Sequence, residues 1–417
     1  MMYGRGPTRF TLEQVIDKTV ASESHERSNE AMSGVSLNRR TFLALPAVAL
    51  AGASCSRRRS GTGFRGYAFV ANQDSHSIAA IDLEAMAVAK NIPLSGAPVN
   101  VTAALKRPFV YALAGDTGTV HEIALDRLNE TRKVTIATNA VAMQMSADES
   151  AVYVLAREPR TFVRVNLVTL TPDFKIALTD DPIDFTLSPD SKMDSKIAAI
   201  TFKSGLRLVD LEKRKLYAPL GAGDLGSVRF LADGHTLIVA DRGERRLSAY
   251  DATSLGEPAN AGGAQLITHL PLAMRPDNLC FNSDGGQLFV TGEGADAVAI
   301  VFPYRTPEVA ETLLVGRNPG PMAASNAFLF VASPSAGDVS ILEISTRKVV
   351  AVVSVGSDPG FITVTPDDQY ALVLNRQSGD VSVLRIATIT KTRDRRASLL
   401  TVIPVGSKPV SAAVRAV

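Results

Sequence analysis

The chain has 417 residues, 46% of them apolar, with 44 lysines and arginines against 42 aspartates and glutamates. So near-neutral a balance, with no basic block beyond the N-terminal segment, gives no electrostatic basis for binding nucleic acid. Two cysteines, Cys55 and Cys280, and no C-x-x-C pair exclude a disulfide framework, covalent c-type haem and a cysteine-based zinc site.

Residues 1–31 are polar, mixed in charge and too long to precede an export signal. They read as disordered or as overhang ahead of a start at Met32. Residues 36–56, "SLNRRTFLALPAVALAGASCS", carry Arg39 and Arg40, then an uncharged stretch to Ser54. A basic start, a short apolar core and small residues describe an export signal over 32–54, and the stretch is shorter than the ~20 apolar residues of a membrane span. N-R-R-T-F-L resembles a twin-arginine signal, an ordinary secretory signal being the alternative. "GASC" (52–55) resembles a bacterial lipobox, which implies lipidation of Cys55 and a membrane partner through that anchor. Gly52 stands where such motifs usually have leucine, so cleavage after Ala53 with an incidental Cys55 is the other reading. Residues 55–65 would be a tether, with Arg57, Arg58 and Arg59 favoured near anionic head groups.

From residue 66 onward the chain repeats itself. Short alternating runs follow in order: "YAFVAN" (67–72), "FVYALA" (109–114), "AVYVLA" (151–156), "KIAAIT" (196–201), "TLIVAD" (236–241), "QLFVTG" (287–292), "FLFVAS" (328–333) and "YALVLN" (370–375). Each is followed by a second run, from "SIAAIDL" through "TVHEIAL" to "VSILEI" and "VSVLRI". Turns before the first runs place Asp148, Asp190, Asp233, Asp284 and Asp367 at steps of 42, 43, 51 and 83 residues. A Gly/Ala-rich insertion, residues 254–265, absorbs the longest single-unit step.

A unit of 40–50 residues holding about four short strands is the pattern of a propeller blade. Aromatic residues at 6%, no tryptophan, 30 glycines and 22 prolines suit strands and turns better than long helices. Each small sheet is apolar on both faces and cannot bury them alone; stacking around an axis buries all of them. The expectation is an all-β, eight-bladed propeller over 66–417, seven blades being the alternative. The chain starts on a second strand and ends on "VSAAVRAV", which follows the same V-G-S-x-P corner that precedes "FITVT". One C-terminal inner strand plus three N-terminal strands should therefore close the ring.

The runs "LFVTG", "LFVAS" and "AFVAN", then "VSVL" or "VSIL", then "VGSDP" and "ITVTPD" resemble the YVTN-family β-propeller repeat of YncE-like proteins. The resemblance covers nearly all of 66–417 and implies an extracytoplasmic binding or scaffold module, its partner an envelope protein or small ligand at the channel mouth. The alternative is a propeller enzyme or enzyme subunit, lactonase-like or cofactor-bearing, although no cofactor is assigned.

Alternating strand direction puts the loops after the first runs and the corners before the inner strands on one face. Loops over a channel mouth are the usual functional surface of such scaffolds. Candidates there are Asn72, His76, Arg157, Arg160, Asp241, Arg242, Glu293, Asn375 and Arg376, joined by Asn100, Asp184, Arg229 and Asn278 at the inner strands. His76, His121, His235 and His269 fall in different parts of a blade and cannot converge as metal ligands. Cys280, mid-strand in "NLCFN", reads as a small hydrophobe. No catalytic residue is assigned, since neither a nucleophile elbow nor a phosphate-binding loop occurs.

Overall fold

The computed structural model describes residues 64–189, 197–221, 223–253, 264–304, 306–389 and 398–417. Arg39, Arg40, Cys55, Asp190, the segment 1–31 and nearly all of the tether and insertion lie outside the described residues. Eight antiparallel sheets of four strands each form an eight-bladed propeller, which settles the choice between eight blades and seven.

In each blade the strand after the corner is innermost and the next three step outward. Blade 2, for example, runs Pro98–Ala103, Phe109–Ala114, Thr119–Ala124 and Asn129–Thr135. Blades 3 to 8 follow over residues 138–177, 182–216, 225–271, 275–314, 322–354 and 359–404. Blade 1 combines Gly66–Asn72, Ser77–Asp82 and Ala87–Pro93 with the C-terminal strand Pro409–Ala416 inside them. That closing strand pairs antiparallel with the first, Ala68 opposite Val414 and Val70 opposite Ala412. No edge is left open at the seam, where an unpaired strand would invite aggregation.

The apolar core is divided among the eight interfaces between neighbouring blades. Phe69, Ile78, Val110 and Ile123 fill the one between blades 1 and 2. Tyr153, Phe162, Ile200 and Phe202 fill that between 3 and 4. Ala68, Val70, Leu372 and Leu374 fill the closing one, between 8 and 1. Period-2 alternation sends successive side chains to opposite neighbours, so each second and third strand is buried on both faces.

The turns ahead of the second strands share one chemistry: Asp148, Asp233, Asp284 and Asp367 accept backbone N–H bonds from two residues on, those of Ser150, His235, Gly286 and Gln369. The following residues, Glu149, Gly234, Gly285 and Asp368, have positive φ. On the same face Met86, Leu128, Leu170, Arg214 and Arg347 adopt φ of 50 to 56° before the outer strands. Left-handed backbone disfavours such side chains. Asp82, Asn166 and Asp210 hold three of those turns by accepting two backbone bonds each, which offsets that cost.

Candidate functional site

The face carrying the loops after the second strands is the mouth. Below it, along the channel from one face to the other, side chains of the inner strands stitch blade to blade. Ser411 Oγ accepts the N–H of Val101, Gln144 Oε1 that of Leu187, and Asp184 Oδ2 that of Val228. Ser227 donates its hydroxyl to the carbonyl of Asp277. One strand further out, Thr201 and Thr291 donate across the blade boundary to the carbonyls of Gly226 and Gly320. Asp184 and Arg229, proposed from sequence as surface candidates, form part of this stitching: Arg229 Nη1 lies 2.7 Å from Asp184 Oδ2. Asn100 and Asn278 lie half-buried on inner strands.

Three sequence candidates do not face solvent. Asn72 and Asn375 are fully buried, and Asp241 is 2% exposed. Asn72 Nδ2 donates to the carbonyl of Val405 in blade 8, holding the seam. Asn375 Nδ2 donates to Asp380 Oδ1 and Ser382 Oγ, while Asp241 accepts from Arg246 Nε and the N–H of Glu244. At these three positions the last residue of the second strand belongs to the hairpin, and its polar side chain turns inward to satisfy it. Arg157, near the end of its strand, donates to the carbonyl of Pro182, and Arg376, just past its own, to that of Gly360. His76 is exposed at a left-handed turn position.

Arg160, exposed, pairs with Asp181 at 2.6 Å. Their hydrogen bond holds the Asp181 carboxyl below its usual range and Arg160 above its own. With Arg157, Thr138 and Asn139 they line an open hollow of about 620 Å³. A second hollow, about 630 Å³, crosses the seam and is lined by Asp74, Asp358, Arg376, Ser407 and Lys408.

Charge concentrates over blades 5 and 6. Glu293, Arg275, Asp224, Arg242 and Asp277 form one chain of ion pairs, with successive closest distances of 3.6, 3.0, 3.7 and 2.8 Å. Three carboxylates against two guanidinium groups leave the chain one negative charge. Burial pushes the Asp277 carboxyl above its usual value; Arg242 and Arg275 oppose the shift, and Glu293 and Asp224 add to it. Sequence reading found Arg242 and Glu293 and missed Asp224, Arg275 and Asp277. A signal existed for Asp277: it follows the corner proline, where other blades have Ile183, Gly360 or Val410.

Among the described residues no group of three or more His, Cys, Asp or Glu side chains is placed to hold a metal ion. His121 is buried in the third strand of blade 2, while His235 and His269 lie in a turn of the opposite face and in an outer strand. Cys280 lies on the inner strand of blade 6, and burial pushes its thiol up to about 11, far from a reactive thiolate. No helix among the described residues is long and apolar enough to cross a membrane.

No protein-family model and no curated protein sequence matches this chain. Solved structures do resemble it. Apo AztD from Citrobacter koseri aligns over 84% of this chain and 98% of its own, at 13% identity and a TM-score of 0.63. Dihydro-heme d1 dehydrogenase NirN in complex with DHE aligns over 83% and 74%, at 14% identity and a TM-score of 0.65. A functionally unknown protein from Desulfotomaculum acetoxidans aligns over 69% and 94%, at 14% identity and a TM-score of 0.54. At such identities the likeness concerns the fold alone: this chain is an eight-bladed β-propeller with propeller proteins among its structural neighbours.

Proposed function

We propose that the chain is an exported, lipid-anchored propeller of the YVTN type, acting as a binding or scaffold module at the bacterial envelope through its mouth face. The observation that carries the binding role is the state of the mouth charges. Arg160, Arg242 and Arg275 are each paired with a carboxylate, and the hollow beside Arg160 is open. An acid, base or nucleophile for catalysis needs a perturbed group converging with partners in one enclosed pocket. A broad face of exchangeable ion pairs suits a polar partner that swaps one set of charge contacts for another. The twin-arginine pattern at Arg39 and Arg40 and the lipobox-like Cys55 supply the export and anchor parts of the reading.

The test is crosslinking in native envelopes followed by identification of the captured partners. Wild type is compared with a mouth variant, Arg242→Glu with Arg275→Glu. Capture that is lost in the variant supports the reading. Hydrolysis of a sugar lactone, or a redox-active small molecule released from purified native protein, would replace it with the enzyme alternative. A mass for the mature N-terminus showing an unmodified Cys55 would remove the anchor.

A further inference from the structure

Blades 2 and 3 set a tyrosine beside a charged residue at the same two positions, with opposite signs. In blade 2 Tyr111 lies opposite Glu122, which pairs with Arg132 of the outer strand. In blade 3 Tyr153 lies opposite Arg164, which pairs with Asp173 of the outer strand and donates through Nη2 to Ser150 Oγ at 3.0 Å.

The two blades meet their next neighbours differently. Arg132 donates to the carbonyls of Val168 and Leu167 at 2.9 and 3.3 Å, closing the interface between blades 2 and 3. In blade 3 the outer-strand position of Arg132 is held by Phe174. Phe174 has nothing to donate, and its ring packs edge-on to Tyr153, the centroids 6.4 Å apart. The turn of blade 4 that corresponds to Leu167 and Val168 is Leu211 and Glu212, which follow Asp210 as the other pair follows Asn166. Among the described residues no group donates to the carbonyl of Leu211 or of Glu212. A cavity of about 450 Å³ is left there, between blades 3 and 4 on the face opposite the mouth.

Three carboxylates line the cavity, Asp148, Asp173 and Glu212, against two guanidinium groups, Arg164 and Arg214, which leaves one negative charge. Arg164 is taken up by Asp173, and Arg214 lies over the Phe174 ring, 5.2 Å from its centroid. Just outside, Lys213 pairs with Asp210 at 3.4 Å, and Lys215 lies over Tyr217. Glu212 is exposed at the rim, with no cation paired to it among the described residues.

We infer that this cavity binds a small alkyl cation with N–H donors, a guanidinium or ammonium group on an aliphatic stem, in the place that Arg132 fills one interface earlier. The head group donates to the carbonyls of Leu211 and Glu212 and meets the Glu212 carboxylate in charge-assisted bonds. The stem lies against Phe174, Leu187 and Leu211, in a cavity of the size and apolar lining that suit a small ligand. An anion on the same stem would meet a charge of its own sign and leave both carbonyls without donors. The site is across the molecule from the mouth and stands independently of the role given to that face.

The test is saturation-transfer NMR on the full chain with n-butylguanidinium, n-butylammonium and butyrate, one kind of stem under different head groups. The guanidinium, whose planar fork can reach both carbonyls, should bind most strongly, the ammonium more weakly and butyrate not at all. Glu212→Gln should weaken butylguanidinium roughly tenfold. Ala147→Trp, which fills the cavity from an exposed turn, should abolish binding. Arg242→Glu on the mouth should leave it unchanged, and melting curves should show all these variants folded. Acetyl-arginine amide separates two sources of the cation. Its binding as well as butylguanidinium assigns the ligand to an arginine side chain of a partner, and its exclusion while butylguanidinium binds assigns a free small molecule. Butyrate binding as well as the cations, no cation bound at millimolar concentration, or unchanged affinity in both cavity variants overturns the inference.

Discussion

Blades 1 and 2 are neighbours on one plan, yet they fill the same two positions with opposite chemistry. In the third strand of blade 1 those positions are Ala79 and Ala80, both fully buried and opposite Asn91 and Lys90 of the outer strand. In blade 2 they are His121 and Glu122, at most 1% exposed and opposite Lys133 and Arg132. Glu122 is satisfied on all sides, by Arg132 Nε and Nη2, Thr131 Oγ1 and the Tyr111 hydroxyl. Its burial works to raise its pKa, yet the bonds from Arg132 and Thr131 prevail and hold it below the usual value. Arg132 continues to the carbonyls of Leu167 and Val168 in blade 3, so the charged pair ties two blades together. The position therefore demands not an apolar residue but a satisfied one, and the outer strand decides which chemistry can be satisfied.

Removing residues 409–417 would test blade 1 at its dependence on the far end of the chain. The first strand would become an open edge and the seam core would be exposed. Loss of the cooperative melt and aggregation on size-exclusion chromatography are expected, and a soluble, sharply melting product would contradict ring closure as the basis of stability.

Arg132→Ala breaks blade 2 instead, leaving the Glu122 charge buried without its partner. A loss of about 3–5 kcal/mol in urea unfolding is expected. Combining it with Glu122→Leu should recover most of that loss, since blade 1 already fills the equivalent buried position with an apolar side chain, Ala80. Failure of the double variant to recover would mean that the charge pair contributes net stability to the contact with blade 3.

Asn72→Ala removes the side-chain bond across the seam and leaves the Val405 carbonyl short of a donor. Its cost should be about 1–3 kcal/mol, read from the same unfolding curves.

A pH series sharpens the comparison further. Burial pushes the His121 imidazole below its ordinary 6.5, against the contrary pull of Glu130 at 2.5 Å. The folded state thus keeps the ring neutral while the unfolded chain takes up a proton near 6.5. Stability present above pH 6.5 is then lost as pH falls below it. His121→Gln should flatten the melting temperature between pH 7 and pH 5.5. The smallest effect belongs to the mouth: Arg275→Ala breaks half-exposed ion pairs and should alter stability by no more than about 1 kcal/mol.

Much of the architecture was legible because the constraint repeats. Eight second strands and eight third strands share one pattern, since each must present apolar side chains to a neighbour on both sides. "VGSDP" and "VGSKP" matched because both corners feed inner strands. The candidate site was less legible. Arg242 and Arg376 were found at the mouth because they follow the second strands, and Arg157 because it lies near the end of one. Asn72, Asp241 and Asn375, one residue earlier, turn inward for reasons that reside in their hydrogen-bond partners. Asp224 and Arg275 join Arg242 only because blades 5 and 6 lie side by side.

The amino-acid sequence by itself determined the strand period, the repeat length and the offset between the chain's two ends. These are local patterns, and together they leave a ring with a shared last blade as the arrangement that buries every face. Tertiary structure alone decided which polar side chains meet. Whether an arginine stitches a rim, pairs in the ion chain of blades 5 and 6, or, like Arg415, ties a turn of blade 2 to the closing strand depends on groups 16 to more than 300 residues away, and nothing in a residue's own neighbourhood records them.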